Sequence, residues 1–489
     1  MSQNNGTRYI TILGTQSHAG KSVLVTALCR ILKRRGYNVA PFKAQNMSLN
    51  SWITKDGKEI GIAQAIQAFA AGVEPSAEMN PVLLKPKGDM TSQVIVMGEA
   101  IGDKRVGQYY SSIDDMMAVA KGAIEDLSQK YDMIVIEGAG GAAEINLYDR
   151  DIANSRMAHA VGSPIILVGD IERGGVFASI YGTIALMPEG HKKLVKGIII
   201  NKFRGEVSLL KSGIEELEKL TGVPVLGVIP YRELEIPSED SVSISDKKAS
   251  GSLDLDIAII RFPFISNFTD FEPLERIARV RYVSMNDKLG SPDIVILPGS
   301  KNTVSDLRSL GMSRLWDEIK AISGSGTPIL GICGGYQIMG QRVVDNGIEG
   351  DKEESIEGLG LLPSSTVFDR YEKQTRQTVK MVTAGGPILG AINGSNVRGY
   401  EIHMGMSTTP SPAFDDDGCV DDTGTMIGTY LHGIFDNKNF RDALLCYACR
   451  RKGIPYECAT NATDPYDVLA DHVESSVDMD RVLEIINEE

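Results

Sequence analysis

Along the first 230 residues, short apolar runs alternate with longer amphipathic stretches. The runs are "YITILG", "NVAPFK", "MIVIEG", "PIILVGD", "KGIIIN" and "VPVLGVIP". A strand buried on both faces has no polar side, so near-continuous apolar runs separated by helical stretches predict a parallel sheet covered by helices. The alternation stops over residues 231–252, where "YRELEIPSEDSVSISDKKASGS" is polar, charged and serine-rich. Such a stretch reads as a linker with little core. The alternation restarts with "LDIAIIRF", "VRYV", "DIVILPG" and "TPILGIC". No internal repeat of solenoid length is visible. The pattern predicts an α/β protein of two domains, each with a mostly parallel sheet flanked by helices. Their expected bounds are 1–230 and 253–489, joined by 231–252.

Composition narrows the function. A chain of 489 residues is too long for one compact core. A net charge of −14 argues against nucleic acid and against anionic membranes, both of which attract basic faces. No apolar run approaches a membrane span, and "MSQNNGTRYITILG" lacks a basic segment followed by an apolar signal core. The expected location is the cytoplasm. Six cysteines are too sparse for a disulfide framework. Cys446 and Cys449 form a C-x-x-C that reads as two thiols on one helix, with no second pair to complete a zinc site.

Two stretches carry chemistry. The first, "GTQSHAGKS", follows the first strand and precedes the helical pattern "SVLVTALCRILKRRG". Its glycines, Gly14 and Gly20, let backbone N–H groups turn toward phosphates beside a helix N-terminus. Lys21 would reach the β/γ-phosphates, and the Ser22 hydroxyl would bind Mg²⁺. The loop is one residue longer than the usual phosphate loop, with five residues between Gly14 and Gly20. A carboxylate ending a neighbouring strand, Glu137 in "VIEGAGG", suits a hard ion that takes few protein oxygens.

The second stretch is "GICGGYQIMG". Cys333 lies between an apolar strand and a helical run, at a corner whose small neighbours tolerate strain. A helix N-terminus beside a thiol favours the thiolate. Of the six histidines, His432 in "GTYLHGIFDN" follows another strand-like run and is the candidate base. Gly334, after the nucleophile, offers one oxyanion N–H, and the loop at Gly299 and Ser300 offers another. Between "DRD" carboxylates two apart, Asp149 and Asp151, the candidate catalytic group is Asp151. Lys43, Lys85 and Arg173 could neutralise phosphates or substrate carboxylates.

The long phosphate loop, Phe42–Lys43 and "VIEGAGG" resemble dethiobiotin synthetase and its relatives. That resemblance adds Glu59 as a second Mg²⁺ ligand and places Asn201, in "NKFRG", near the adenine. "GICGGYQ", through Gln337, followed by His432, resembles the class I glutamine amidotransferases, which hydrolyse glutamine through a thioester and release ammonia. One departure stands out. That family carries a glutamate two residues after the histidine, and here the position is Ile434. Either another group orients His432 or a Cys–His dyad suffices.

At full length, "PFKAQNMSLNS", "EGAGGAAEINLYDRDIAN", "GDIERGGVF", "FPFISNFTDFEPL", "LPGSKNT" and "GYEIHMG" are similar to the cobyric acid synthase family. The resemblance implies ATP and Mg²⁺ as cofactors, L-glutamine as nitrogen donor and a corrinoid substrate. It implies amidation of four peripheral carboxylates (b, d, e and g) of adenosylcobyrinic acid a,c-diamide. The cobalt stays in the corrin, and oligomeric state is left open. Rival readings are another amidotransferase of the same architecture and a partitioning-type ATPase. The acidic charge and the Cys333–His432 set oppose the latter.

Overall fold

A computed structural model describes residues 6–88, 90–232, 251–350, 352–456 and 464–488. Most of the expected linker therefore lies outside the described residues. The chain forms two compact units.

The first unit is built on six parallel strands: β1 (Arg8–Gly14), β2 (Val39–Phe42), β3 (Met133–Glu137), β4 (Ile165–Asp170), β5 (Val195–Phe203) and β6 (Val225–Pro230). They lie in the order β6-β5-β4-β1-β3-β2. These are the six apolar runs of the sequence. Every residue of β2, β3 and β4 is buried, as expected for strands covered on both faces. A second sheet escapes the apolar pattern. It joins Gln45–Met47, Val82–Gly88, Thr91–Val96 and Glu99–Arg105, with mainly antiparallel pairing. Its last strand, "EAIGDKR", is mostly exposed and has no apolar alternation to announce it.

The second unit holds β7 (Leu253–Arg261), β8 (Ala278–Ser284), β9 (Ile294–Leu297), β10 (Ile329–Ile332), β11 (Cys419–Val420) and β12 (Met426–Thr429). Their order is β8-β7-β9-β10-β12-β11, parallel except for the last pair. A long hairpin, Gln374–Met381 with Asn396–His403, belongs to the same unit.

The units differ from the expected bounds at two places. Residues 461–489 cluster with the first unit, and residues 49–58 with the second. The C-terminal correction has a clear cause. Helices Pro465–Glu474 and Met479–Asn487 bury Leu469, Val473, Val482 and Ile485 in one apolar cluster with Leu24, Leu28 and Ile31 of the helix Lys21–Arg34. An amphipathic helix shows which face it buries but not against what. Among the described residues, no helix is long and apolar enough to cross a membrane.

Candidate functional sites

In the first unit the candidate residues gather at the carboxyl ends of the strands, where ligands of open α/β sheets bind. β1 ends at Gly14, and its Ile12 pairs with Glu137 at the end of β3. On the other side, Asp170 of β4 pairs with Asn201 of β5. The loop after β1 turns through left-handed backbone at His18 (φ 59°) and Gly20 (φ 98°). A Cβ on Gly20 would lie 2.0 Å from Asn201 Nδ2, so this position needs glycine for space as well as for φ. The Asn201 amide donates to the Ala19 carbonyl at 3.0 Å, which ties β5 to the loop.

Lys21 is buried, and its ammonium donates to the carbonyls of Gly140 (2.7 Å) and Gln16 (3.1 Å). The Ser22 hydroxyl donates to Glu137 Oε1 at 2.8 Å, and Lys43 Nζ reaches the same oxygen at 2.9 Å. Gln67 donates to the other carboxylate oxygen. A buried carboxylate needs such partners. A hydroxyl and a carboxylate side by side are the hard oxygen pair that Mg²⁺ takes, with phosphates and waters filling its remaining positions. Ser22 and Glu137 therefore fit the ion.

Glu59 is equally buried, but it faces Lys85 at 2.7 Å. Asp151 lies at the entrance to helix Ser155–Val161, and its Oδ1 accepts from the amides of Ala153 (2.8 Å) and Asn154 (3.1 Å). Burial raises its pKa, and those amide bonds oppose the rise. One oxygen of Asp151 thus closes a turn that leads into the helix. Asp149 and Arg173 are exposed.

In the second unit, strand order assembles the thiol site. Cys333 follows β10. β9 on one side leads into Gly299 and Ser300, and β12 on the other leads to His432. Cys333 adopts φ 51°, ψ −107°, the strained corner expected of a nucleophile turn. Space decides the neighbouring residues. A Cβ on Gly334 would sit 2.9 Å from the Ser300 nitrogen, and one on Gly335 would sit 1.9 Å from the Leu297 carbonyl oxygen. The Ser300 hydroxyl donates to Asp306 at 2.5 Å. Burial pushes Asp306 up to about 7, against the pull of Ser300 and of the Phe264 amide. Gln337 is buried behind the thiol, accepting from Thr303 (3.0 Å) and donating to Tyr430 (3.2 Å).

His432 has a carboxylate partner that sequence reasoning missed. Its Nδ1 lies 2.6 Å from Oδ2 of Asp270, 162 residues upstream. An ionised carboxylate only accepts, so Nδ1 carries the hydrogen and Nε2 is left for the sulfur. The other oxygen of Asp270 accepts from the Gly433 amide at 3.1 Å. Burial acts to lower the imidazole pKa, but the charge and hydrogen bond of Asp270, with Cys333, outweigh it and push His432 up to about 10. Ile434, where the glutamate was expected, is fully buried in the core. The signal was present in "FISNFTDF", but one aspartate in a short turn has no spacing that ties it to a distant histidine. His403 is no rival base. Burial pushes it down to about 4, its Nδ1 bonds the Gly405 carbonyl at 2.8 Å, and its ring stacks on Tyr430.

A nucleophile, an oriented imidazole and candidate backbone donors are what acyl transfer through a thioester requires. A glycine-rich loop before a helix, with Lys21, Ser22 and Glu137, is what nucleotide phosphates require.

Comparison with known proteins agrees with this division. Residues 10–243 match the family model of the CobQ/CobB/MinD/ParA nucleotide binding domain. Residues 256–440 match that of the CobB/CobQ-like glutamine amidotransferase domain. A protein of Methanocella arvoryzae named "Probable cobyric acid synthase" is 69% identical over 479 residues, covering 98% of each chain. Proteins of the same name from Methanococcoides burtonii and Methanosarcina mazei are 60% and 58% identical, over 99% and 97% of this chain and 99% and 98% of their own. The chain belongs to the cobyric acid synthase family. It is accordingly an amidotransferase of the ligase class.

Proposed function

We propose that the chain converts adenosylcobyrinic acid a,c-diamide to adenosylcobyric acid, amidating the b, d, e and g carboxylates in turn with nitrogen from glutamine. The observation that carries this reading is one chain holding both a phosphate loop and a Cys333–His432–Asp270 set, aligned end to end with relatives named for that product.

Cys333 Sγ attacks the glutamine side-chain carbonyl, and the oxyanion meets the Gly334 amide and the loop at Gly299–Ser300. His432 holds the proton that the departing ammonia takes. Asp270 fixes the ring and stabilises its positive charge. Water then hydrolyses the thioester, releasing glutamate and freeing the thiol. In the nucleotide site, a substrate carboxylate attacks the γ-phosphorus of ATP, giving an acyl phosphate and ADP. Ammonia displaces phosphate from that acyl group and leaves the amide. Lys21 and the loop amides bind the phosphates. Ser22 and Glu137 would hold Mg²⁺, with Glu59 as the further candidate implied by resemblance, and the ion neutralises phosphate charge when bound. Asp151 is proposed as the carboxylate that handles a proton near the acyl centre, and Asn201 as the adenine contact. Soluble cytoplasmic action fits these substrates.

The test is product mass. Purified protein with ATP, Mg²⁺, glutamine and the a,c-diamide should yield four successive corrinoid products, each exchanging one carboxylic OH for NH₂. Glutamate release with an unchanged corrinoid would overturn the substrate assignment.

A further inference from the structure

Residues 49–58 occupy the stretch of sequence between Lys43 and Glu59, among phosphate-side residues, yet they pack in the second unit. Asn50 and Ser51 are almost wholly buried there. Their bonds converge on the two partners of the imidazole–carboxylate pair. Asn50 Oδ1 accepts from the Phe268 amide at 3.2 Å, at the first residue of the turn Phe268–Phe271 that carries Asp270. The Ser51 amide donates to Asn267 Oδ1 at 3.0 Å, and Asn267 is the left-handed residue (φ 51°) that opens the same turn. The Ser51 carbonyl accepts from the Tyr400 hydroxyl at 3.0 Å. Tyr400 lies flat on His432, with ring centroids 5.3 Å apart and planes 18° apart. The two backbones also exchange hydrogen bonds of 2.9 and 3.2 Å.

Asp270 is thus steadied through Asn50 and Ser51, and His432 through Ser51 and Tyr400. We propose that Asn50 and Ser51 are positioning residues for the His432–Asp270 pair, so that a strap from the nucleotide half of the sequence completes the thiol site. The strap acts by fixing the turn and the ring between which the 2.6 Å contact forms. Misplacement by about an ångström is enough to cost on the order of a hundredfold in rate. Removing an acceptor from a buried amide also invites the turn to relax.

The inference rests on the glutaminase reading above, so the experiment includes Cys333→Ala. Full-length Asn50→Ala, Asn50→Asp and Tyr400→Phe are assayed with glutamine and, separately, with ammonium as nitrogen donor. Asn50→Ala should lower glutamine-driven kcat roughly tenfold or more, with little change in KM for glutamine and with ammonia-driven amidation intact. Its alkaline pH limb should move to lower pH, because a loosened Asp270 holds the imidazolium less firmly. Asn50→Asp keeps an acceptor oxygen and should recover most of the loss. Tyr400→Phe keeps the ring stack and loses the bond to Ser51, so it should fall between Asn50→Ala and the parent protein. Unchanged glutamine turnover in Asn50→Ala overturns the proposal. So does a parallel fall with both donors, or an Asn50→Asp variant as impaired as Asn50→Ala. Glutamine use that survives Cys333→Ala would instead overturn the thiol reading itself.

Discussion

In the proposed mechanism, Asp270 and His432 set the pH range over which the thiol chemistry runs. A group whose folded pKa is raised keeps its proton until the pH climbs through the raised value. With His432 pushed up to about 10, glutamine hydrolysis should persist through neutral pH and fail on the alkaline side. Asp270→Asn removes the charge that opposes burial. Its alkaline limb should therefore move to lower pH, and kcat should fall by up to about ten-thousandfold, as when a ring loses its orienting carboxylate. A pH–rate profile with glutamine measures both. Ile434→Glu makes a contrasting prediction. Ile434 is fully buried in an apolar cluster, so the added carboxylate loses its hydration and should cost about 3 kcal/mol of stability without raising glutaminase turnover. Thermal melting beside a glutaminase assay reads the outcome. At this scale the sequence disclosed residues that sit in a local pattern. Cys333 and Lys21 each stand in a glycine-flanked corner between strand and helix. Asp270 and Asn50 do not, because what they contact is set by strand order and by a strap far away in the chain.

The two C-terminal helices show how an element's allegiance is decided. Leu469 is fully buried in the cluster it shares with Leu24 and Leu28. Leu469→Ala should cost about 2–5 kcal/mol, by lost burial and a residual cavity. The same helices also carry polar ties. Arg30 meets Asp464 at 2.6 Å and Asp467 at 2.7 Å, but both aspartates are well exposed to water. Arg30→Ala should therefore cost no more than about 1 kcal/mol. Denaturant midpoints of the two variants separate the contributions, and an equal loss would mean that the ion pairs matter as much as the core. The buried strands were legible because apolar runs of that length have few other uses. The sheet containing Thr91–Val96 and Glu99–Arg105 was not, since its exposed edge alternates weakly and reads as loop. The terminal helices fall within the 253–489 expected for the second domain, yet they pack in the first unit.

Across the whole molecule the two chemistries should separate by mutation. Cys333→Ala should abolish amidation from glutamine and keep amidation from ammonium, because only the thioester needs the sulfur. Lys21→Ala should abolish both, because activation of the carboxylate precedes attack by ammonia from either source. Product masses with each donor check the pair. Ammonium-driven activity that survives Lys21→Ala would remove the phosphate loop from the reaction. The return of residues 464–488 to the first unit also has a consequence for how the chain is made. A ribosome delivers the amino end first, so residues 49–58 emerge early, and helices Pro465–Glu474 and Met479–Asn487 emerge after the whole of the second unit. Once residue 460 has emerged, every part of the second unit is outside the tunnel. The helix that begins at Lys21 is then still missing the partners of Leu24, Leu28 and Ile31. A polypeptide cut short before residue 465 would display that apolar stripe to chaperones and proteases. Full burial of the phosphate-loop helix in this way waits on the synthesis of helices Pro465–Glu474 and Met479–Asn487.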